Sequence, residues 1–438
     1  MATEFRVGDH VTWNSEAGHV SGKIIKVHTK DADYKGYTHH ASADEPQYEI
    51  KSDKTDHIAM HKGGALRKMH PWEPPGWRGV DDAADGAGLN AGSAEERIER
   101  KRILTGIRPS GPLHLGHYAG ALENWLELQS AYDCYFLIAD YQVSDHADDL
   151  PRVRNAVWEV ALDWLAAGLD PESASFVIES GVPEHAELTT WLAWFLPVGM
   201  LERNPTLRAE MEAIENPEDA TTKGKSVPVA FYIYPVMQVA NILLSRAHLV
   251  PVGADQLPHV ELARETARRF NRDFKPIFPE PEALVGRVPR LLGTDGNAKM
   301  SKSRGNTIDL RDDADVVAKK VRVMYAGPPR GAREPGEVEA NPVFDYLDAF
   351  DNDVAEVSDL KERYARHGVS NAELKDRLTR VLNELLEPMR QRRAQFAGNM
   401  ARVREALEHG TERSRAIARQ TMEKVHDALD LDYLRKYR

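Results

Sequence analysis

The chain has 438 residues, 42% apolar and 29% charged, which suits two or three globular domains and excludes a disordered or fibrous chain. A formal net charge of −12 excludes overall basic character, although residues 361–438 hold 18 Lys+Arg against 12 Asp+Glu and are locally basic. One cysteine, Cys134, excludes an intramolecular disulfide and any multi-thiolate metal centre, and no apolar run is long enough to span a membrane.

Residues 1–69 read as a small all-β barrel. The stretch 5–13 alternates loosely, 23–29 is β-branched, 48–52 is a third strand candidate, and Gly8, Gly18, Gly22 and Gly36 supply turns. Residues 70–100 change character. Pro71, Pro74, Pro75 and Gly76 precede an Asp/Ala/Gly run at 81–88 and Gly92-Ser93, the composition of a flexible linker. From residue 101 strands alternate with helices. Segments 102–107, 135–140, 175–179 and 247–253 are short buried-strand candidates, and 116–132, 151–167 and 256–270 are helical. The alternation predicts an α/β, Rossmann-type parallel sheet over 101–310. From Asp312 onward the pattern is helical, with apolar faces at Val381, Leu382, Leu385 and Leu386 and at Ile417, Met422, Val425 and Leu429. A C-terminal helical domain over 311–438 follows. The first residues hold no apolar signal core, so a reducing cytoplasm is the expected compartment.

Two segments carry the chemistry. Pro109-Ser-Gly-Pro-Leu-His-Leu-Gly-His117 lies where the first strand of the sheet turns into a helix starting near Gly116. A helix N-terminus offers unpaired N–H groups and the positive end of its dipole. Gly111 and Gly116 let the backbone approach a ligand, and His114 and His117 would point toward phosphate oxygens. Lys299-Met-Ser-Lys-Ser303 follows a polar stretch, 293–297, read as a mobile loop. Lys299 and Lys302 could converge on a pyrophosphate leaving group, with Ser301 and Ser303 adding hydroxyl donors. The two segments in this order predict attack of a carboxylate on the α-phosphate of ATP. His114, His117, Lys299 and Lys302 are the expected catalytic residues.

The paired motifs resemble the His-Ile-Gly-His and Lys-Met-Ser-Lys-Ser signatures of class I aminoacyl-tRNA synthetases, and the surrounding sequence resembles the tryptophanyl-tRNA synthetases. Further likeness lies in Thr105-Gly-Ile-Arg-Pro-Ser-Gly111, Leu201-Glu-Arg-Asn204, Tyr234-Pro-Val-Met-Gln-Val-Ala-Asn-Ile-Leu-Leu244 and Val250-Pro-Val-Gly-Ala-Asp-Gln256, and it spans residues 101–438. The resemblance implies a Rossmann catalytic domain, a helical anticodon-recognising domain and a homodimer. It implies L-tryptophan and tRNA(Trp) as substrates, and ATP with Mg²⁺ carried by the nucleotide and no dedicated protein metal site. It also implies ATP-binding roles for Arg108, Pro109, Ser110, Gly116 and His117, for Gly253, Ala254, Asp255 and Gln256, and for Lys299, Met300, Ser301, Lys302 and Ser303. Asp255 is expected near the ribose.

Tyrosyl enzymes are the nearest competitors. Many of them place a tyrosine two residues before the glycine of the first strand, where this chain has Leu104 ahead of Gly106, an apolar wall that suits an indole. Tyr234, Gln238 and Asn241 recur at i, i+4 and i+7 and share one helix face, the expected side-chain selector. Both families usually have an aspartate at the position of Asn241. The asparagine oxygen can still accept from an indole N–H, or the residue caps a backbone group in the core. Gln142 stands where many bacterial tryptophanyl enzymes have histidine. The expected tryptophan-binding set is Leu104, Gly106, Gln142, Tyr234, Gln238 and Asn241. No insertion is large enough for an editing domain. Two other classes stay open: a synthetase-like paralogue that binds RNA or protein without aminoacylating, and another nucleotidyltransferase.

Residues 1–69 resemble the hypervirulence-associated Tudor-like domains through Val7-Gly-Asp-His-Val-Thr-Trp13, Gly22-Lys-Ile-Ile25, Tyr48-Glu-Ile-Lys-Ser-Asp-Lys-Thr55 and Ala65-Leu-Arg-Lys68. This likeness implies a fold and no activity, and leaves the partner unknown. Trp13, Tyr34, Tyr37 and His39 either form a recognition surface or fill the core of the barrel.

Overall fold

The computed structural model describes residues 5, 7, 9–15, 18–34, 37–42, 46–52, 58–68, 100–216, 226–285, 291–296, 300–327, 334–339, 341–366, 368–431 and 433. Residues 70–99 of the expected linker, Gly8, Gly36 and Lys299 lie outside the described residues, as do the side chains of Tyr34, Tyr37, His39 and Ser303. The chain divides into two compact units, Met1–Leu89 and Asn90–Arg438.

The first unit holds strands β1 (His10–Ser15), β2 (Gly18–His28), β3 (Ala32–Tyr34), β4 (Tyr37–His39), β5 (Gln47–Ser52), β6 (Ile58–Lys62) and β7 (Arg67–Lys68). Five of them form an antiparallel sheet in the order β6-β5-β2-β1-β7, and β3 pairs with β4. Strand alternation selects the inward face. Val11 and Trp13 of β1, Ile24 of β2, and Tyr48 and Ile50 of β5 meet Phe5 and Leu66 in one small core. Trp13 is therefore a core side chain rather than part of a recognition surface. The Tyr48 hydroxyl accepts from the Phe5 N–H at 3.3 Å, which satisfies the phenol inside that core.

In the second unit, β8 (Arg102–Ile107), β9 (Asp133–Ile138), β10 (Ala174–Ile178), β11 (Leu249–Val252) and β12 (Glu282–Val285) form a parallel sheet in the order β10-β9-β8-β11-β12. The order steps outward from β8 in both directions, the pattern of a doubly wound sheet. β9 is buried at every position, as a central parallel strand must be. The helix Leu150–Ala167 shows how the sequence writes its own boundaries. Asp149 accepts from the Arg152 N–H, proline occupies the first turn, and Gly168 closes the C-terminus at φ 109°. Its Trp164 joins Trp125, Phe136 and Phe176 in an aromatic core.

Beyond residue 311 the described chain is helical, in Ala314–Val323, Pro342–Phe350, Val354–Arg366, Asn371–Ala397 and Met400–Leu429. The last helix covers the edge strand β10. A Cβ on Gly410 would sit 2.3 Å from the Phe176 carbonyl oxygen, so only glycine permits this approach. The adjacent Thr411 Oγ1 accepts the Ile178 N–H at 3.1 Å, pairing a group that an edge strand would otherwise leave open. Helix Asn371–Ala397 packs on Leu150–Ala167, and its Arg392 donates to the Ala166 carbonyl at 2.6 Å.

Candidate active site

Among the described residues, the pairing between β8 and β11 is Ile103 with Leu249, near their amino ends. Farther along, the Thr105 hydroxyl reaches the Pro251 carbonyl at 2.7 Å. Strand order reverses here, and open α/β sheets bind ligands in the crevice at the carboxyl end of such a point. Two of the three expected ATP segments leave from it: residues 108–117 after β8, and the turn Ala254–Gln256 after β11. At the mouth, Gly106 is dictated by packing, because a Cβ would stand 2.6 Å from the Leu137 carbonyl oxygen of β9. Leu104 is buried in the apolar cluster that also contains Tyr234.

The first motif folds as a helix start. His114 is extended, with φ −126° and ψ 172°, and helix Leu115–His117 runs on through a π turn, Tyr118–Leu122, into Glu123–Leu128. The Nδ1 of His114 accepts from the Gly116 N–H, and the Nδ1 of His117 accepts from the His114 N–H, both at 3.2 Å. A neutral imidazole that accepts at Nδ1 carries its proton on Nε2, so both rings are fixed as Nε2–H donors. Their centroids lie 3.8 Å apart.

Leu113, just ahead of the histidines, is anchored by a residue the sequence reading missed. Its N–H donates to Asp163 Oδ2 at 2.7 Å, and Asp163 Oδ1 accepts from Arg393 at 2.9 Å. Asp163 is fully buried, which pushes its carboxyl up to about 6 against the pull of the Leu113 N–H and the Arg393 guanidinium. Arg393 also donates to Glu159 at 2.6 Å, and Glu159 accepts from Arg311 at 2.8 Å. A lone acid inside the apolar stretch 160–167 was the available signal.

The second motif lies on the first. Met300 Sδ accepts from the Gly116 N–H at 3.4 Å, and Lys302 Nζ donates to Ser110 Oγ at 3.4 Å. The Lys302 stem passes over Gly111, whose φ of +138° requires glycine. Just beyond, Leu115 donates to the Ile308 carbonyl and Leu310 to the Leu113 carbonyl, both at 2.9 Å. The expected mobile stretch is tied at its start. Asn306 accepts from the Ser301 N–H at 2.8 Å, donates to Asp295 at 3.0 Å, and its carbonyl accepts from the Thr294 N–H at 3.0 Å. Desolvation pulls the Lys302 ammonium down to about 8, offset in part by Asp309 and Asp163. A cavity of about 720 Å³ adjoins this junction, between Ser110, Gly111, Arg152, Lys302, Asp309 and Arg311.

Across the crevice, Ala254 and Asp255 are exposed and Gly253 and Gln256 half-buried. The Asp255 carbonyl accepts from the Thr206 hydroxyl at 2.9 Å. Pro109 is buried, whereas Arg108 reaches the Gln142 carbonyl at 3.4 Å and Asp145 at 3.5 Å. Arg108 thus joins the two loops that hold the expected ATP and amino-acid residues.

Gln142 and Asn241 come together on another residue the sequence reading missed. Glu179 Oε1 accepts from Gln142 Nε2 at 3.2 Å and from Asn241 Nδ2 at 2.7 Å, and Oε2 accepts from the Tyr141 N–H at 3.0 Å. Glu179 is fully buried, and that burial pushes its carboxyl up to about 7 despite the three donors. An acid ending an apolar strand at the carboxyl edge of the sheet was the signal that could have found it. Tyr234 is buried, its hydroxyl meeting His259 Nε2 at 3.2 Å, and His259 Nδ1 meets Asn204 at 3.2 Å. Burial raises the Tyr234 phenol and lowers His259 to about 4. Gln238 is only half-buried.

A doubly wound sheet whose switch point carries a His-Leu-Gly-His helix start, overlaid by a Met-Ser-Lys segment, is the amino-acid-activating unit of a class I synthetase. Known proteins agree. The family described as tRNA synthetases class I (W and Y) matches residues 96–387, and that described as hypervirulence associated proteins TUDOR domain matches residues 8–66. A tryptophan–tRNA ligase of Treponema pallidum (strain Nichols) is 47% identical over 334 residues, 75% of this chain and 97% of that one. One of Chlamydia caviae is 42% identical over 346 residues, 78% of this chain and 98% of its own. The crystal structure of tryptophanyl-tRNA synthetase from Campylobacter jejuni, complexed with ADP and tryptophan, aligns with a TM-score of 0.65 at 30% identity, covering 75% of this chain and 99% of that one. The chain belongs to the class I tRNA synthetases of the tryptophan and tyrosine group, and within it to the tryptophan–tRNA ligases.

Proposed function

We propose that this protein joins L-tryptophan to tRNA(Trp) in two steps at the switch-point crevice. The observation that carries the reading is the seating of Met300 and Lys302 on Gly116 and Ser110, which brings cationic and hydroxyl donors onto a helix start. In the first step a tryptophan carboxylate oxygen attacks the α-phosphorus of ATP in line. The new P–O bond forms as the bond to the β-phosphate oxygen breaks, leaving tryptophanyl-adenylate and pyrophosphate. Lys302, and by its sequence position Lys299, meet the charge that grows on pyrophosphate. The Nε2–H groups of His114 and His117 donate to phosphate oxygens. In the second step the terminal ribose hydroxyl of the tRNA attacks the adenylate carbonyl and AMP leaves. Each step is a displacement without a covalent enzyme intermediate, so the protein contributes position and electrostatics.

ATP is the nucleotide in this reading, and Mg²⁺ accompanies its phosphates. Residues 101–310 form the catalytic domain, and the helices of 311–438, locally basic from residue 361 onward, meet the tRNA anticodon. A second copy of the chain is the proposed occupant of an apolar patch around Trp194, Val198 and Phe274, which are 68%, 59% and 38% exposed. Trp194 packs on Trp191, and Phe274 on Phe195. Among the described residues no helix is long and apolar enough to cross a membrane, and a cytoplasmic location is proposed.

ATP–pyrophosphate exchange with tryptophan and tyrosine in parallel tests the function. Exchange is expected with tryptophan. Exchange with tyrosine alone would overturn the substrate, and exchange with neither would favour a non-aminoacylating paralogue.

A further inference from the structure

We propose that Glu179 is a positioning residue for substrate selection: it holds the Asn241 amide with Nδ2 toward itself, so that Oδ1 is the acceptor offered to the indole N–H. The proposal rests on the reading of the protein as a tryptophan-activating enzyme and names how its pocket reads the side chain.

The argument begins with the amide. An asparagine is nearly symmetric in shape, and its neighbours decide which end is oxygen. Here Nδ2 lies 2.7 Å from a Glu179 carboxylate oxygen. With Glu179 ionised, the form that its Tyr141 and Gln142 donors favour, turning the amide over would set an oxygen against that carboxylate, two acceptors with no proton between them. Glu179 is itself held, because the Tyr141 N–H and the Gln142 amide also donate to it. The remaining atom, Asn241 Oδ1, is buried and has no hydrogen-bond partner of acceptable geometry among the described residues. The buried His185 ring lies alongside and is kept neutral by desolvation, against a weaker opposing pull from the Asn241 side chain within its hydrogen-bond reach. A buried amide oxygen carries two lone pairs, so Oδ1 can take a ligand donor beside the helix face that carries Tyr234 even with the His185 ring alongside.

The charge arithmetic also closes. The resemblance described above expects an aspartate at position 241. In this chain position 241 is neutral and the carboxylate stands one hydrogen bond behind it. The pair holds one carboxyl group and one amide, the carboxyl at the strand end and the amide on the helix. A carboxylate accepting from the amide polarises it and strengthens its oxygen as an acceptor.

An exchange of the two side chains tests this directly. The variants are Glu179→Gln, Asn241→Asp and the double Glu179→Gln/Asn241→Asp, each assayed by ATP–pyrophosphate exchange for tryptophan KM, ATP KM and kcat. Asn241→Asp sets two buried carboxyls in contact, and Glu179→Gln releases the amide. Each single change is expected to raise the tryptophan KM by ~10-fold or more, with ATP KM little changed. The double variant restores the single carboxyl and is expected within ~3-fold of the parent. A tryptophan analogue with sulfur in place of the indole N–H should be discriminated strongly by the parent and the double variant and weakly by Glu179→Gln. Thermal melting of all four proteins separates misfolding from altered recognition. Multiplying defects in the folded double variant, or a Glu179→Gln enzyme with unchanged tryptophan KM and unchanged discrimination, would overturn the proposal. Absence of tryptophan exchange in the parent would instead overturn the function on which it rests.

Discussion

Replacing Lys302 with alanine removes the one described lysine of the second motif from its seat on Ser110. The structure supports two routes to the size of the effect. The fall of the ammonium from 10.5 to about 8 means that the fold disfavours this cation by ~3 kcal/mol net, desolvation outweighing the pull of Asp309 and Asp163. A bound polyphosphate would restore that loss as attraction beyond what Asp309 and Asp163 supply. Independently, removing one preorganised donor to developing charge commonly costs ~3–4 kcal/mol. Both give a ~10²–10³-fold fall in kcat for adenylate formation. Tryptophan binding, measured by fluorescence titration or protection from melting, should change little, because Lys302 touches the other side of the crevice. A second readout follows from the sign of the shift. In the free enzyme the ammonium is charged below about 8 and loses its proton above it, so kcat/KM for ATP should fall as pH rises through that value. Lys302→Arg keeps the charge and should move the fall upward. Normal exchange by Lys302→Ala, or a pH profile unchanged in Lys302→Arg, would refute this account of the second motif.

Other expectations follow from the same contacts. Arg393→Met removes the partner of a fully buried Asp163, and breaking such a pair costs ~3–5 kcal/mol. The unfolding midpoint should drop and exchange should slow, since the Leu113 turn loses its charged acceptor; an unchanged midpoint would show that Asp163 does not depend on Arg393. Glu179, raised from 4.5 to about 7, keeps a proton in the folded chain through a window where the unfolded chain has lost it. Its contribution to stability therefore declines as pH rises from about 4.5 to 7, and Glu179→Gln should flatten that slope in melting curves. Deleting residues 1–95 should leave tryptophan-dependent exchange intact, and loss of activity in a folded deletion variant would make the N-terminal unit part of the catalytic machinery.

The fold was largely legible because its signals are local. The apolar run at 102–107 and the glycine-rich turn after it identify a first strand and a phosphate-binding helix start without any knowledge of the neighbours. Helix Leu150–Ala167 carries its own cap, proline and terminal glycine. β12 was missed because its four residues include an exposed glutamate and valine and carry no strong pattern. The covering of β10 by Met400–Leu429 was equally hidden, since Gly410 has meaning only beside Phe176. Trp13 was ambiguous in sequence, and burial in a small core decided it.

At the site the division is sharper. By itself the sequence determined the reaction class, because the groups expected to bind a triphosphate sit within two contiguous segments that carry their own turn and helix-start signals. The tertiary structure decided which carboxylates lie behind the expected site residues. Glu179 meets Asn241 across 62 positions and Asp163 meets Arg393 across 230. A buried charge takes its proton affinity and its orienting force from whatever packs against it, and that is set by segments distant along the chain. Residue type alone marked Asn241 as a departure from an expected aspartate. Only the packed structure located the carboxylate behind it.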